Sequence, residues 1–432
     1  MYNSKIRQIF FEKKEVFCVL IIVSIILGLF FRTFRYEFLI GWDDQWFVTN
    51  HYTENGFTLD NIWSILTEYY YGQYAPVNQF YYTFLYSIFK FNAGYYHLAS
   101  VLLHCINSVI VFFLVKNITQ ETTGFKGEKG VGVGFFTALM FAIMPVNLEP
   151  VAWVAASKVL LYALFYLLAM RSYRLYILSG NEKFFYHTLI FFIVSFGAKE
   201  QAVTFPITML LLDYIYGRKF LYASVLLEKI PIFLLSFIFG LVTIDSQRVD
   251  DIQAFYAIYH RIPLFCYTVS EYLTKCILPV NISYLYPFPF QMAGQVPNWM
   301  WFQTMSFPIL IYCFWRSFNK KWIIFGFGFF FIHIVLVSNL FSLARFAVVA
   351  DRYVYLASIG VCYLVSCWLV ALCNRFKNRK VLVCLWILYI GYLTTYSSIH
   401  LSVWSNVSTL KKKLKSTIRN RANYLEFQLR VK

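Results

Sequence analysis

The chain has 432 residues, of which 59% are hydrophobic and only 14% charged, with a formal net charge of +17. Soluble domains carry about a quarter charged residues, so too little polar surface exists here to coat a water-soluble globule of this size. The positive charge sits in short loops between apolar runs and at the two ends, not on a polar helix interleaved with base-stacking aromatics, which argues against a nucleic-acid partner.

In lipid the backbone must satisfy its own hydrogen bonds, leaving helices or a closed barrel. The apolar runs are long and do not alternate with polar residues, so the expected fold is an all-α polytopic membrane protein. The chain opens with Lys5, Arg7, Lys13 and Lys14, followed by a charge-free stretch over 16–31. Arg32, Phe34, Arg35 and Tyr36 come next, where a signal peptide would have small residues, so this reads as an uncleaved first span with a cytoplasmic N-terminus. Further apolar runs fall at 98–116, 131–148, 159–178, 184–198, 201–217, 230–246, 299–315, 322–340, 353–373 and 381–401. The expectation is about eleven spans, within a range of roughly 10–13. Alternate loops then carry Lys116, Lys126 and Lys129; Arg171, Arg174 and Lys183; Arg218, Lys219 and Lys229; Arg316, Lys320 and Lys321; and Arg375, Lys377, Arg379 and Lys380. All lie on the side of the N-terminus if the count is odd, as the positive-inside rule requires. The run over 262–279 carries Glu271 and Lys275 and is placed as a partly inserted helix on the outer side.

Two outer segments are too polar to span. The first, 32–96, is rich in Tyr, Trp and Asn and is expected to hold short interfacial helices such as 58–68. The second, 243–298, contains the turn-rich run Tyr286-Pro287-Phe288-Pro289. The tail, 405–432, is basic, with Lys411, Lys412, Lys413, Lys415, Arg419 and Arg421, and reads as a helix at lipid headgroups. The nine cysteines include six inside apolar runs and form no CxxC pair, so they read as packing residues rather than as disulfides or a zinc site.

Chemistry-bearing residues collect at the outer ends of the spans. Asp43 and Asp44 follow the first span, where one carboxylate can take a proton from a hydroxyl while the other orients it. A solvated acidic turn or a metal pair are the alternatives. Glu149, in Pro145 through Trp153, has no nearby cation in sequence, and a carboxylate at that depth needs a partner or a polar cavity. Lys199 and Glu200 sit between two apolar runs, as functional groups or as a helix-capping pair. Asp351 and Arg352 lead into the tenth run, and an arginine there can hold a phosphate bidentately. His97 and His104 stand at i, i+7, a spacing that helix packing explains as readily as ligand contact. Carboxylates for an acceptor hydroxyl beside cations for a departing phosphate suit glycosyl transfer through an oxocarbenium-like transition state.

Ordered motifs extend this reading: Trp42-Asp43-Asp44; Tyr74-Ala75-Pro76-Val77; Tyr96-His97 with His104 and Asn107; Pro145 through Trp153; Ala198-Lys199-Glu200 with Thr204 and Pro206; Tyr272-Leu273 with Leu278-Pro279; and Asp351 through Leu356. Over roughly residues 36–404 the chain resembles the GT-C superfamily of polyprenyl-phosphate-sugar-dependent glycosyltransferases. Within it, the resemblance is to the transmembrane, tetratricopeptide-repeat-containing O-mannosyltransferases and their bacterial relatives. It implies one transmembrane glycosyltransferase domain over 1–404, with 32–96 as its catalytic outer loop. It also implies inversion at the sugar, a mannose donor carried on polyprenyl phosphate, and a hydroxyl acceptor on a protein or envelope glycan. Carried over by position, Asp43 is the base, with Asp44 as the alternative, and Lys199 and Arg352 hold the lipid phosphate. Glu149, Lys158, Glu200, Asp351, Tyr353, His97 and His104 complete the implied substrate contacts. No metal or other cofactor is expected.

The chain departs from the family in having Met144 before Pro145, Ser157-Lys158-Val159 after Trp153, and Ser100 in the second-span motif, and no tetratricopeptide repeats follow Trp404. A lipid-linked-saccharide transporter would place ionisable residues mid-span and show paired halves, whereas these charges cluster at one face. A non-catalytic scaffold is the third reading, against which Asp43, Asp44, Lys199 and Arg352 speak. Frequent Asn, Phe, Tyr, Ile and Lys point to an AT-rich bacterial genome, and hence to the cytoplasmic membrane with the site on its periplasmic face.

Overall fold

A computed structural model describes residues 2–219, 222–246, 257–283, 285–290, 294–314, 319–340, 347–376 and 379–418. Arg316, Lys377, Arg419 and Arg421, counted above among the loop and tail charges, lie outside the described residues, as does 247–256 of the second outer segment. Among the described residues the chain is almost wholly helical, without a strand, and two isolated bridges join Tyr70 to Gln73 and Tyr286 to Val349.

Among the described residues, five segments are long and apolar enough to cross a membrane: Lys13–Arg35, Ala93–Thr122, Val154–Ser179, Ala223–Ser246 and Arg379–Trp404. A sixth arises if Glu128–Ile143 and Pro145–Ala152, bent by 57° at their junction, count as one. This is the pattern of a multi-pass membrane protein, but the expected count of about eleven is not reached. Hydropathy sums apolar side chains across points where a helix stops. The run over 201–217 opens as a 3-10 turn, Glu200–Thr204, and turns α-helical only over Phe205–Tyr216, with Pro206 in its first turn. Those 12 residues reach about 18 Å at 1.5 Å each, against a hydrocarbon core of about 30 Å. Lys321–Val337 and Ala357–Cys373 are likewise shorter apolar helices. The segment expected as a partly inserted outer helix forms Ile258–Ile277, with Pro263 inside it, and packs against Asn298–Phe314 and Ala357–Arg375.

We label Ala93–Thr122 α1 and Lys158–Ser179 α2, since these two position the site. Helix α1 turns a polar stripe inward: His97, Ser100, His104, Asn107 and Ser108 are buried, while Leu102, Ile106 and Phe113 face outward. The Asn107 amide donates to the Leu160 carbonyl of α2 at 3.0 Å. Such an inside-out pattern fits lipid as solvent, where interhelical hydrogen bonds replace the hydrophobic effect between helices. Elsewhere Lys321–Ile334 and Ala357–Arg375 approach so closely that a Cβ on Gly360 would lie 2.4 Å from the Gly326 carbonyl oxygen.

Charges form two layers. Helix α2 begins at Lys158 and carries Tyr173 fifteen residues later, about 22 Å away along the axis. In the layer around Tyr173, Asp213 pairs with Lys229 at 2.7 Å and with Arg218 at 3.1 Å, and Arg218 pairs with Glu228 at 2.7 Å. Arg174 joins Glu121, Lys116 joins Glu15, and Lys14 joins Glu128. These pairs tie the N-terminal segment to the loops that follow α1 and α2, on one face of the bundle. Lys158 marks the opposite face.

There the first outer loop folds as short helices over Asp44–Phe47, His51–Glu54 and Leu59–Thr67, followed by Pro76–Phe89. Leu59–Thr67, close to the interfacial helix expected at 58–68, is capped by Thr58, whose side chain accepts from the Asn61 N–H. The tail helix Val407–Ile418 buries Leu410 and Leu414 and leaves Lys411, Lys412 and Lys415 exposed. It is anchored near this loop, because the Glu37 N–H donates to the Ser405 carbonyl at 3.1 Å and Trp404 stacks on Trp153.

Candidate functional site

The adjacent aspartates have different surroundings. Asp44 is fully buried and accepts the backbone N–H groups of Leu39 at 2.7 Å and Ala155 at 2.9 Å. It therefore staples the first outer loop to the turn before α2. Burial raises its carboxyl to about 6, against the pull of those two N–H donors. Asp43 is half-buried at the N-cap of Asp44–Phe47 but makes no capping bond. Burial raises its carboxyl, while the Arg352 and Lys158 charges lower it and Glu149 raises it. Thus Asp43 shares one electrostatic neighbourhood with Arg352, Lys158 and Glu149.

The consequence for Asp44 is testable. Asp44→Ala strands two buried N–H donors, each worth about 1–3 kcal/mol, and is expected to lower stability by roughly 2–4 kcal/mol in thermal unfolding of the detergent-solubilised protein. Asp44→Asn retains one acceptor and is expected to lose about half as much.

Glu149, which has no cation near it in sequence, meets Arg352. Its carboxylate accepts the Arg352 backbone N–H at 2.9 Å and the guanidinium Nη1 at 2.6 Å. The guanidinium also lies over the rings of Trp153, at 5.5 Å, and Tyr353, at 5.0 Å. Lys199 also lies over the Tyr353 ring, at 5.4 Å, and pairs with Glu200 at 3.2 Å. Burial works against the Glu200 carboxylate, but the charges of Lys199 and Lys158 hold it down at about 2. Lys158 begins α2, where the helix dipole adds positive potential. Its ammonium donates to the Gln73 side-chain oxygen at 2.5 Å and lies 4.8 Å from the Phe47 ring centre. Among the described residues Lys158 makes no ion pair, whereas Lys199 and Arg352 each have a carboxylate.

Asp351 faces the other way. It is buried and accepts the Tyr286 hydroxyl at 3.0 Å. Burial, reinforced by Glu149, raises its carboxyl well above the ordinary range. Lys275, paired with Glu271, packs over the Tyr286 ring at 4.5 Å. His104 is committed to packing, with one ring nitrogen 2.8 Å from the Tyr355 hydroxyl and the other 3.0 Å from the Ala142 carbonyl. His97 is buried edge-on to Tyr36. The structure thus gathers Asp43, Glu149, Lys158, Lys199, Glu200, Arg352 and Tyr353, sets Asp44 and Asp351 in supporting positions, and leaves both histidines within the helix packing.

Gln73, Phe47, Tyr286 and Lys275 join the site without having been singled out for it. Gln73 directly precedes the Tyr74-Ala75-Pro76-Val77 motif, and the Glu271–Lys275 pair stood out as charge within an apolar run. Tyr286 stood out only as the start of the turn-rich run over 286–289, and Phe47 carried no signal among so many aromatics.

No family model and no solved structure matches the chain. The chain is similar to Protein O-mannosyl-transferase F38B6.6 of Caenorhabditis elegans, 24% identical over 329 residues, which cover 72% of this chain and 44% of that protein. It is also similar to Protein O-mannosyl-transferase TMTC1 of Mus musculus, 36% identical over 83 residues, and to its Homo sapiens counterpart, 34% identical over 82; each match covers 19% of this chain and 8% of the relative. The chain therefore spans less than half the length of the curated relatives it matches.

Proposed function

We propose that the chain is a membrane glycosyltransferase of the GT-C type that moves mannose from a polyprenyl-phosphate donor to a hydroxyl on a protein or envelope glycan. The relatives' names support a mannosyl transfer. The observation that carries the mechanism is Asp43, a half-buried carboxylate within the electrostatic reach of Arg352 and Lys158. In this reading Asp43 accepts the proton of the acceptor hydroxyl as its oxygen bonds to the sugar C1 from the face opposite the phosphate. The C1–O bond to the phosphate breaks, its electron pair leaves with the phosphate oxygen, and the configuration inverts.

Lys158 is the first choice for that phosphate, ahead of Lys199 and Arg352, because among the described residues it has no carboxylate within ion-pair distance, whereas each of the others does. The Glu149–Arg352 pair holds Arg352 in place and tunes the field at Asp43. Charge stabilisation comes from these side chains, and the reading assigns no resident metal. The face bearing Asp43 is the periplasmic one, with the Arg218–Glu228 layer on the cytoplasmic side, in a bacterial inner membrane.

The test is transfer of radiolabelled mannose from polyprenyl-phosphate mannose by membranes carrying the wild type or Lys158→Gln. Loss of one charge-stabilising donor is expected to reduce kcat/KM by about 100-fold, with little change in melting temperature. Equal kcat/KM for both would remove Lys158 from the phosphate site.

A further inference from the structure

Outside the charged site, the first outer loop encloses an open cleft of about 470 Å³, a volume within the range of small-ligand sites. We propose that this cleft binds a neutral saccharide; placing that saccharide on the acceptor side rests on the transferase reading above, the binding does not.

Three features set the ligand class. The first is charge: among the described residues the lining includes Asp60 and Glu68 and no lysine or arginine. The Tyr52 hydroxyl donates to Glu68, and that bond holds the carboxylate below its ordinary range. A cleft with two carboxylates disfavours the phosphate of the donor and any other anion. The second is surface chemistry. His51, Tyr52, Asn55, Asp60, Ser64 and Glu68 line it, and no aliphatic side chain does. An extended polypeptide would find no pocket for an apolar side chain. Carboxylate and amide groups side by side suit neighbouring sugar hydroxyls, which donate and accept at once. The exposed ring of His51 offers a face for the C–H side of a pyranose, and the buried Tyr52 ring, tilted by 39° with its centroid 3.9 Å away, backs it.

The third feature is rigidity. The Asn61 amide donates to the carbonyls of Tyr52 at 2.8 Å and Gly56 at 2.6 Å, fixing Leu59–Thr67 against His51–Glu54. Asn50 caps Thr53, and its amide donates to Gln79, which in turn donates to the Thr53 hydroxyl at 2.8 Å. A polar cleft held this way loses little freedom on binding. It is also joined to the charged site. Tyr70 packs on both His51 and Tyr52, Tyr70 and Gln73 exchange backbone hydrogen bonds at 3.0 Å, and the Gln73 side chain receives the Lys158 ammonium.

The experiment is saturation-transfer NMR and calorimetry on the full chain in detergent, with mannobiose, maltose and a serine-rich peptide as probes. Three proteins are compared: wild type, Asn55→Ala/Asp60→Ala and Asp43→Asn. Asn55 and Asp60 are exposed, so the double variant is expected to keep the wild-type melting temperature. Wild type and Asp43→Asn are expected to bind mannobiose with equal affinity, and the double variant at least tenfold more weakly. No binding of either saccharide to the wild type, unchanged affinity in the double variant, or displacement of mannobiose by the peptide alone would each overturn the proposal. Saccharide binding that depends on Asn55 and Asp60, in a protein that transfers no sugar, would leave the cleft standing and remove the transferase reading.

Discussion

Replacing Asp43 by asparagine is expected to reduce mannosyl transfer by about two to four orders of magnitude, the usual worth of a positioned general base. The amide keeps the size and much of the hydrogen bonding of the carboxylate but cannot take the proton. Because Asp43 makes no capping bond, expression and melting temperature should match the wild type, which separates it from the structural Asp44. A pH profile adds an independent check. The base works ionised, so kcat/KM is full above its pKa and falls about tenfold per pH unit below it. Burial places that acid limb above the ordinary 3.8, against the lowering by Arg352 and Lys158. Lys158→Gln removes one of those cations and is expected to move the limb to still higher pH. Equal transfer by wild type and Asp43→Asn at matched expression would reassign the base.

A large stability effect is expected at the opposite face, from Lys229→Met. Lys229 and Asp213 are both completely buried, 2.7 Å apart, and the same ammonium meets Glu228 at 2.8 Å and the Val225 carbonyl at 2.8 Å. Removing one partner from a buried pair leaves uncompensated charge and costs about 3–5 kcal/mol. Asp213 still receives Arg218 and the Tyr173 hydroxyl, so the lower end, about 3 kcal/mol, is expected. Thermal unfolding in detergent reads this out, with exposed Lys219→Met as a control that should shift little. A Lys229→Met protein with wild-type melting temperature would contradict the reading of this layer as a structural clamp.

The residues that break apolar runs with charge are visible in sequence, and most of the site consists of them. Their pairings are not visible. Glu149 and Arg352 are 203 positions apart, and the Asp44 carboxylate finds its partners in the backbone N–H groups of Leu39 and Ala155, which every residue type but proline offers equally. For that reason the sequence treats Asp43 and Asp44 as near-equivalent, while their surroundings differ. His97 and His104 show the converse. Spacing at i, i+7 marks a shared helix face, but whether that face meets ligand or another helix is decided by Tyr355 and Ala142, far along the chain. The span count fails for a related reason. Apolar composition persists through the turn at Met144–Asn147, and the run that opens at 201 is still a 3-10 turn up to Thr204.

The central claim is sugar transfer from a lipid-phosphate donor, and the most direct measurement is a donor comparison in wild-type membranes. Radiolabelled mannose would be supplied either on polyprenyl phosphate or as a soluble nucleotide sugar, with the cell envelope as acceptor and membranes lacking the protein as the blank. Label is expected in the envelope from the polyprenyl-phosphate donor, above the blank, and none from the nucleotide sugar when synthesis of the lipid-linked form is blocked. Envelope labelling no higher than the blank from every lipid-linked sugar tried would contradict the claim.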